Sequence, residues 1–254
     1  MKSQLSERDI CTKYITPAIV KAGWDQSPHH FREEVSFTAG KIKVRGKLVS
    51  RGKSKRADYI LFYKPNIPIA LIEAKDNTYP VGGGMQQALE YGEILDAPFI
   101  YSSNGDGFIE HDRIIGQEKE LSLDIFPSPF DLWNRYKSSL GISNDKEPVI
   151  TQDYYFDAAG EKPRYYQEIA INRTIEAISR GQNRILLVIA TGTGKTYVAF
   201  QIIWRLWKSK VKKRILYLAD RNILVDQTIV NDFKPFGDKM TKITKRQTDK
   251  SYEI

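Results

Sequence analysis

The sequence predicts an α/β protein in two parts, and three observations predict it. Residues 57–75, ADYILFYKPNIPIALIEAK, read as two short apolar strands about a turn, with helical patterns before and after them. Residues 184–190, RILLVIA, are a continuous apolar run, followed by ATGTGKT, a helical pattern and a second apolar run at 215–218. That order is a βαβ unit and implies a parallel sheet. A polar stretch with Pro148, residues 141–151, lies between the two patterns. The expected organisation is therefore a first α/β domain over 1–145, a linker over 146–163, and the first part of a parallel α/β domain over 164–254.

Composition narrows the class. The chain has 254 residues, 41% of them hydrophobic, enough for one large core or two modest ones. No apolar run reaches transmembrane length and the N-terminal residues lack a signal-peptide pattern, so no membrane association is expected. Cys11 is the single cysteine, which excludes an internal disulfide framework and fits a cytoplasmic protein. The formal net charge of +8 suggests a polyanionic partner. Lys41, Lys43, Arg45 and Lys47 alternate with Ile42, Val44, Gly46 and Leu48, as in a strand with one basic face. Arg51, Lys53, Lys55 and Arg56 follow in a loop.

Taken in order, residues 6–22 have helical spacing with Ser6 as cap and Pro17 as a kink point. Residues 33–37 and 41–49 suggest strands about an Ala39–Gly40 turn. After the 57–75 hairpin, Gly82, Gly83 and Gly84 read as a flexible hinge before a helix over 85–95. Residues 98–103 read as a strand that returns at Phe108–Ile109, and 112–123 are polar and weakly patterned. The segment 126–133 leads into a short helix ending at Leu140. Helices are expected over 164–180, from the glycine-rich loop to about Trp207, and over 222–233. A basic loop, residues 208–214, separates the last two.

The hairpin carries the first candidate site. Folding about Pro65–Asn66 sets Asp58 opposite Glu73, with Cβ atoms about 5 Å apart. The period of two puts Glu73 and Lys75 on one face. Two carboxylates and an ammonium then converge, which suits a metal or a polyanion. Gln87 and Tyr91 are four apart on the next helix and share a face. Glu7, near the first helix start, is an additional acid. His29, His30 and His111 have no metal-ligand spacing.

The second candidate site is the loop of Thr191, Gly192, Thr193, Gly194, Lys195 and Thr196. It lies between an apolar run and a helix, where main-chain amides can hold phosphate oxygens. Lys195 would reach the β/γ-phosphates of ATP and Thr196 would bind Mg²⁺. Ile189 stands where the usual pattern of such loops has glycine. Gln167 lies upstream in RYYQEIA beside Arg164, Tyr165 and Tyr166. Asp220 and Arg221 end the second apolar run, Arg221 being a candidate DNA contact.

These motifs carry resemblances. Asp58, Glu73 and Lys75 resemble the signature of PD-(D/E)xK nucleases, which implies their αβββαβ mixed-sheet core for the first domain, and Gln87-Ala-Leu-Glu-Tyr91 resembles the QxxxY motif of their RecB-like branch. ATGTGKT, RYYQ and YLADRNILVDQ resemble superfamily 2 helicase motifs in a RecA-like motor domain, Gln167 matching the glutamine that reads adenine. A nuclease preceding such a motor resembles the R subunit of type I restriction–modification enzymes. The resemblance implies an ATP-dependent endonuclease: Asp58 and Glu73 as Mg²⁺ ligands, Lys75 as a catalytic cation that orients the nucleophile or stabilises the transition state, Gln87 and Tyr91 as positioning groups. It further implies DNA translocation, cleavage of unmodified double-stranded DNA, and methylase and specificity subunits as partners. No acidic DExx box follows the second apolar run, so the sequence is expected to be the beginning of a longer protein and to hydrolyse ATP poorly alone. Other expectations compatible with the motifs are a helicase–nuclease of another DNA defence or repair system, or a DNA-binding module with an inactive nuclease domain.

Overall fold

The computed structural model describes residues 4–38, 42–45, 48–51, 54–156, 163–243 and 252–254. The chain divides into two compact units, Met1–Gly141 and Ile142–Ile254.

The first unit opens with a helical stretch in three pieces: α1 (Glu7–Ile10), a π-helical turn (Cys11–Ile15) and α2 (Thr16–Lys21). Ser6 caps α1 in a box with Asp9, each closing a free amide of the other. The expected kink takes the form of the π turn. Pro17 has no N–H and its ring crowds the carbonyl four residues back. The wider turn, with the Thr16 amide on the Cys11 carbonyl, relieves that clash.

The strands that follow are β1 (His30–Thr38), β2 (Ile42–Arg45), β3 (Leu48–Arg51), β4 (Ser54–Lys64), β5 (Ile67–Ala74), β6 (Phe99–Ser103), β7 (Phe108–Asp112) and β8 (Gln117–Leu121). Six of them form one mixed sheet, ordered β1-β4-β5-β6-β7-β8. β4 and β5 form the expected hairpin: Tyr59 pairs Ile72, Ile60 pairs Leu71 and Leu61 pairs Ala70, with irregularities nearer the turn. From β5 the chain crosses through α3 (Met85–Leu95) to β6, which lies parallel to β5. This βαβ crossover makes β5 the centre of the sheet, and Ile69, Ala70, Leu71, Ile72 and Ala74 are fully buried. The unit ends with α4 (Pro129–Ser139), capped by a Ser128–Asp131 box.

Several expectations are corrected here. The single basic strand over 41–49 is instead the two short strands β2 and β3, paired antiparallel with each other. The Ala39–Gly40 turn lies outside the described residues. The weakly patterned 112–123 contains β8, an edge strand of sequence QEKEL. It has little apolar alternation because its outer edge and most side chains meet solvent. The triple-glycine hinge is a hydrogen-bonded turn: the Gly83 amide reaches the Pro80 carbonyl at 2.8 Å and Met85 reaches Gly82 at 3.0 Å.

The second unit contains α5 (Glu147–Ile150), α6 (Tyr165–Ser179), α7 (Lys195–Lys208) and α8 (Asn222–Val230). Phe200, Ile203, Phe233 and Phe236 form one core, Tyr154, Ile171 and Val198 another. The expected parallel strands at 184–190 and 215–218 are not formed among the described residues. A parallel ladder needs cover on both faces, and here Leu186 and Val188 are 85% and 88% exposed. Residues 147–156, which read as connector, pack into this unit. Gln201 accepts the Tyr155 amide and donates to the Tyr155 carbonyl, both at 2.9 Å. The buried Arg205 guanidinium reaches the Ile150 carbonyl and, at 2.7 Å, Asn172 Oδ1. No helix among the described residues is long and apolar enough to cross a membrane.

Candidate functional site

The hairpin brings Asp58, Glu73 and Lys75 together as its symmetry requires. Asp58 lies one residue before Tyr59, the first β4 residue paired with β5, and its Oδ2 accepts the Ala74 amide at 2.8 Å. Glu73 and Lys75 share a face, with Lys75 Nζ 3.4 Å from Glu73 Oε1. α3 then lays Gln87 across both. Its Oε1 accepts from Lys75 Nζ at 3.2 Å, and its Nε2 donates to Glu73 Oε1 and to Tyr91 Oη, the latter at 3.1 Å. The amide orientation follows from its neighbours: the NH₂ faces the carboxylate and the carbonyl faces the ammonium.

The electrostatics of this cluster follow from burial. Glu73 is only 3% exposed, and burial plus the Asp58 charge push its carboxyl up to about 8. Asp58 is also raised, by burial first, the Ala74 amide working against it. Burial opposes the charge on Lys75, but Glu73 and Glu7 outweigh it and hold the ammonium above its ordinary value. Glu73 Oε2 is buried with no hydrogen-bond partner. A buried carboxylate oxygen aimed at nothing is costly, and this donor set fits a hard cation, whose preferred ligands are carboxylate oxygens. Among the described residues no three His, Cys, Asp or Glu side chains are grouped for a metal, so Asp58 and Glu73 would share the ion with other oxygens, such as main-chain carbonyls or water.

Three residues join the cluster that the sequence reading left out or undecided. Glu7 Oε1 lies 3.4 Å from Lys75 Nζ, so α1 delivers its acid to the site. Gly84 backs onto the cluster: a Cβ there would stand 3.2 Å from Glu73 Cγ and 3.4 Å from Lys75 Cγ. Ser102 on β6 accepts the Gly84 amide at 3.0 Å and donates to the Val81 carbonyl at 2.8 Å, pinning the turn. The glycine run was the available signal for Gly84; nothing in sequence marks Ser102.

In the second unit, the 191–196 loop leads into α7 through Gly194, whose φ of +83° suits glycine. Lys195 Nζ donates to the Ile189 carbonyl at 3.3 Å. Gln167 spans from the start of α6 to this loop. Its Oε1 accepts the Arg164 amide at 2.8 Å and its Nε2 donates to the Thr193 carbonyl at 2.9 Å. The side chain expected to read a base thus braces the loop, and Tyr166 Oη adds a 3.4 Å contact to the same carbonyl. Thr193 Oγ1 donates to the Ala190 carbonyl. Arg221 and Asp220 are an exposed pair 3.9 Å apart, as a solvated ion pair would be.

Comparison with known proteins finds separate matches in the two parts of the sequence. A family profile described as type I restriction enzyme R protein N terminus matches residues 27–125, and one described as type III restriction enzyme, res subunit, matches 161–254. The chain is 57% identical to the type I restriction enzyme EcoAI endonuclease subunit of Escherichia coli, over 99% of this chain and 32% of that protein. It is 29% identical to the EcoKI endonuclease subunit of Escherichia coli K12, over 78% of this chain and 21% of that protein. A solved fragment structure described as an HsdR subunit of a type I restriction enzyme from Vibrio vulnificus YJ016 superposes with a TM-score of 0.84 at 40% identity. It covers 99% of this chain and 46% of that one. The chain spans about a third or less of the length of these curated relatives.

Proposed function

On the premise that this chain belongs to the family of type I restriction enzyme R (HsdR) subunits, we propose that its first unit cuts double-stranded DNA and its second binds ATP. The whole assembly would move DNA at the expense of ATP and cut it when unmodified, alongside methylase and specificity subunits in the cytoplasm. The observation that carries the cutting reading is the orphaned, buried Glu73 Oε2 beside Asp58, Lys75 and Gln87.

Asp58 and Glu73 would hold Mg²⁺, which when bound neutralises charge on the scissile phosphate and supplies an activated water. Lys75, kept charged by Glu73 and Glu7, stands ready to stabilise negative charge developing on the phosphate or to orient the nucleophile. Gln87 fixes the relative positions of Glu73 and Lys75, and Tyr91 fixes Gln87. In the second unit, the loop amides and Lys195 would hold the ATP phosphates, with Thr196 as a Mg²⁺ ligand and Arg164 and Gln167 framing the base end. Gln167, by bracing Thr193, would also set the loop's shape before nucleotide arrives.

The test uses the full-length R subunit assembled with its partners. Asp58→Ala, Glu73→Ala and Lys75→Ala should each abolish cleavage while sparing ATP hydrolysis. Lys195→Ala should remove ATP binding and cleavage together. Wild-type cutting by all three first-unit variants would overturn the nuclease assignment.

A further inference from the structure

We propose that the end of α7 and the loop after it, residues 208–214 (KSKVKKR), form a docking surface for the phosphate backbone of duplex DNA, separate from both sites above. Lys208, Lys210, Lys212, Lys213 and Arg214 place five cations in seven residues, where a chain with 39 Lys and Arg in 254 would on average place one. All five are exposed, and among the described residues none forms an ion pair.

The loop is wound onto the end of α7. The Ser209 amide reaches the Arg205 carbonyl at 3.1 Å, Lys210 reaches Trp207 at 3.0 Å and Lys212 reaches Leu206 at 3.1 Å. Lys208 Nζ lies over the rings of Trp204 and Trp207, 4.9 and 5.3 Å from their centroids. At the far end the Ile215 amide is held by the Glu253 carbonyl at 2.8 Å. The cations therefore project from a fixed base.

Two simpler accounts fall short. The helix dipole favours cations only within the last turn, which covers Lys208 and leaves the other four. The acid at this end of the helix, Glu253, has its Oε2 on the Trp207 indole N–H at 2.6 Å. What fits closely spaced, unpaired cations is a partner of matching charge density, and duplex DNA carries about one charge per 1.7 Å of axis. Lysines act on phosphates as point charges, which makes the contact independent of sequence.

This inference rests on the reading of the chain as DNA-acting, and the experiment separates the two. Anisotropy of a labelled duplex of arbitrary sequence is followed from about 50 to 200 mM salt, with the full-length R subunit as binder. The triple variant K210E/K212E/K213E should bind at least tenfold more weakly at the low-salt end. Its slope of log affinity against log salt should be shallower by about 2 or more, since each phosphate no longer neutralised takes about 0.9 from the slope. The milder K210Q/K212Q/K213Q should shift the slope in the same direction. The reversal K13E/K21E/K146E, made at lysines already paired with Asp9, Asp124 and Asp145, should keep the wild-type slope. Equal weakening by both reversals, or a wild-type slope in the loop variants, would overturn the loop assignment. Displacement of the duplex by poly-glutamate at equal charge would overturn DNA as the occupant in favour of an acidic protein. Absence of duplex binding by the wild-type chain at low salt would instead remove the DNA reading of the chain.

Discussion

Gly84→Ala is the smallest change that tests whether the carboxylate cluster works as a positioned unit. Gly84 has φ −92° and ψ −6°, open to alanine, so the backbone is not strained and the effect is steric. The added methyl would lie 3.0 Å from Ser102 Oγ, 3.2 Å from Glu73 Cγ and 3.4 Å from Lys75 Cγ. Comfortable carbon contacts lie at about 3.5–4.0 Å, so these atoms must yield by a few tenths of an ångström. Overpacking of this kind costs about 1–3 kcal/mol. The low end applies, because one methyl meets side-chain stems rather than backbone. Misplacement of reacting groups is punished more heavily, by up to about 10²-fold in rate for 1 Å. The expected result is a destabilisation of about 1 kcal/mol in urea unfolding followed by circular dichroism. DNA cleavage by the assembled enzyme should fall about tenfold or more, with ATP hydrolysis unchanged. Gly82→Ala is the matched control, since its Cβ would meet only Ile109 Cγ1, at an ordinary 3.5 Å. Wild-type cleavage by Gly84→Ala, or an equal fall with Gly82→Ala, would refute the reasoning.

Arg135 binds the buried Glu110 through two hydrogen bonds, at 2.7 and 3.1 Å, and Asp112 through one at 2.7 Å. Arg135→Met should cost about 1–3 kcal/mol at neutral pH, because Glu110 keeps Lys119 and Tyr101 while it and Asp112 lose their charge-assisted hydrogen bonds. Burial pushes the Glu110 carboxyl up, but hydrogen bonds from Arg135 and Tyr101 more than reverse this and leave it below its ordinary value. A depressed folded value stabilises above the unfolded value, about 4.3, and that contribution is lost as pH falls through the folded one. The gap between wild type and Arg135→Met in urea melts should therefore narrow below about pH 4; a constant gap would contradict the assignment. Gly194→Ala would place a Cβ 2.5 Å from Gln167 Nε2 at a φ of +83°, and calorimetry should show ATP affinity falling at least tenfold. Arg205→Met would leave the Ile150 carbonyl without the guanidinium and Asn172 Oδ1 with the Tyr154 hydroxyl alone of the two donors described, costing about 1–3 kcal/mol. Limited proteolysis should then cut residues 147–156 sooner, and unchanged resistance would show that this segment is held by other contacts.

The carboxylate cluster was legible because its information is local. A turn at Pro65–Asn66 fixes the hairpin register, period two fixes the shared face of Glu73 and Lys75, and the four-residue step fixes Gln87 and Tyr91. Helix starts were legible for the same reason, through Ser6 and Ser128 and their partners three residues on. What was not legible depends on distant partners. β8 is a strand because β7 offers it a free edge, not because QEKEL prefers one. RILLVIA has the composition of a buried strand, yet burial needs neighbours, and among the described residues it has none on its outer face. Residues 147–156 read as connector because their order comes from Gln201 and Arg205, some fifty residues away. Ser102 could not be recognised from sequence, since its role exists only through the parallel register of β5 and β6.

The central place of β5 has a consequence for how such a protein would be restrained. Glu73 closes the most protected strand of the sheet, flanked on both edges and covered on both faces, and the strand's amides should be among the last to exchange with solvent. Groups seated there do not assemble and disassemble on the timescale of a working cycle. Control over cutting would then act on delivery: on whether a phosphodiester is brought to a permanently set blade, and not on whether the blade is drawn. Variants that deregulate cleavage should accordingly map to surfaces that guide DNA, and seldom to the sheet that holds the acids.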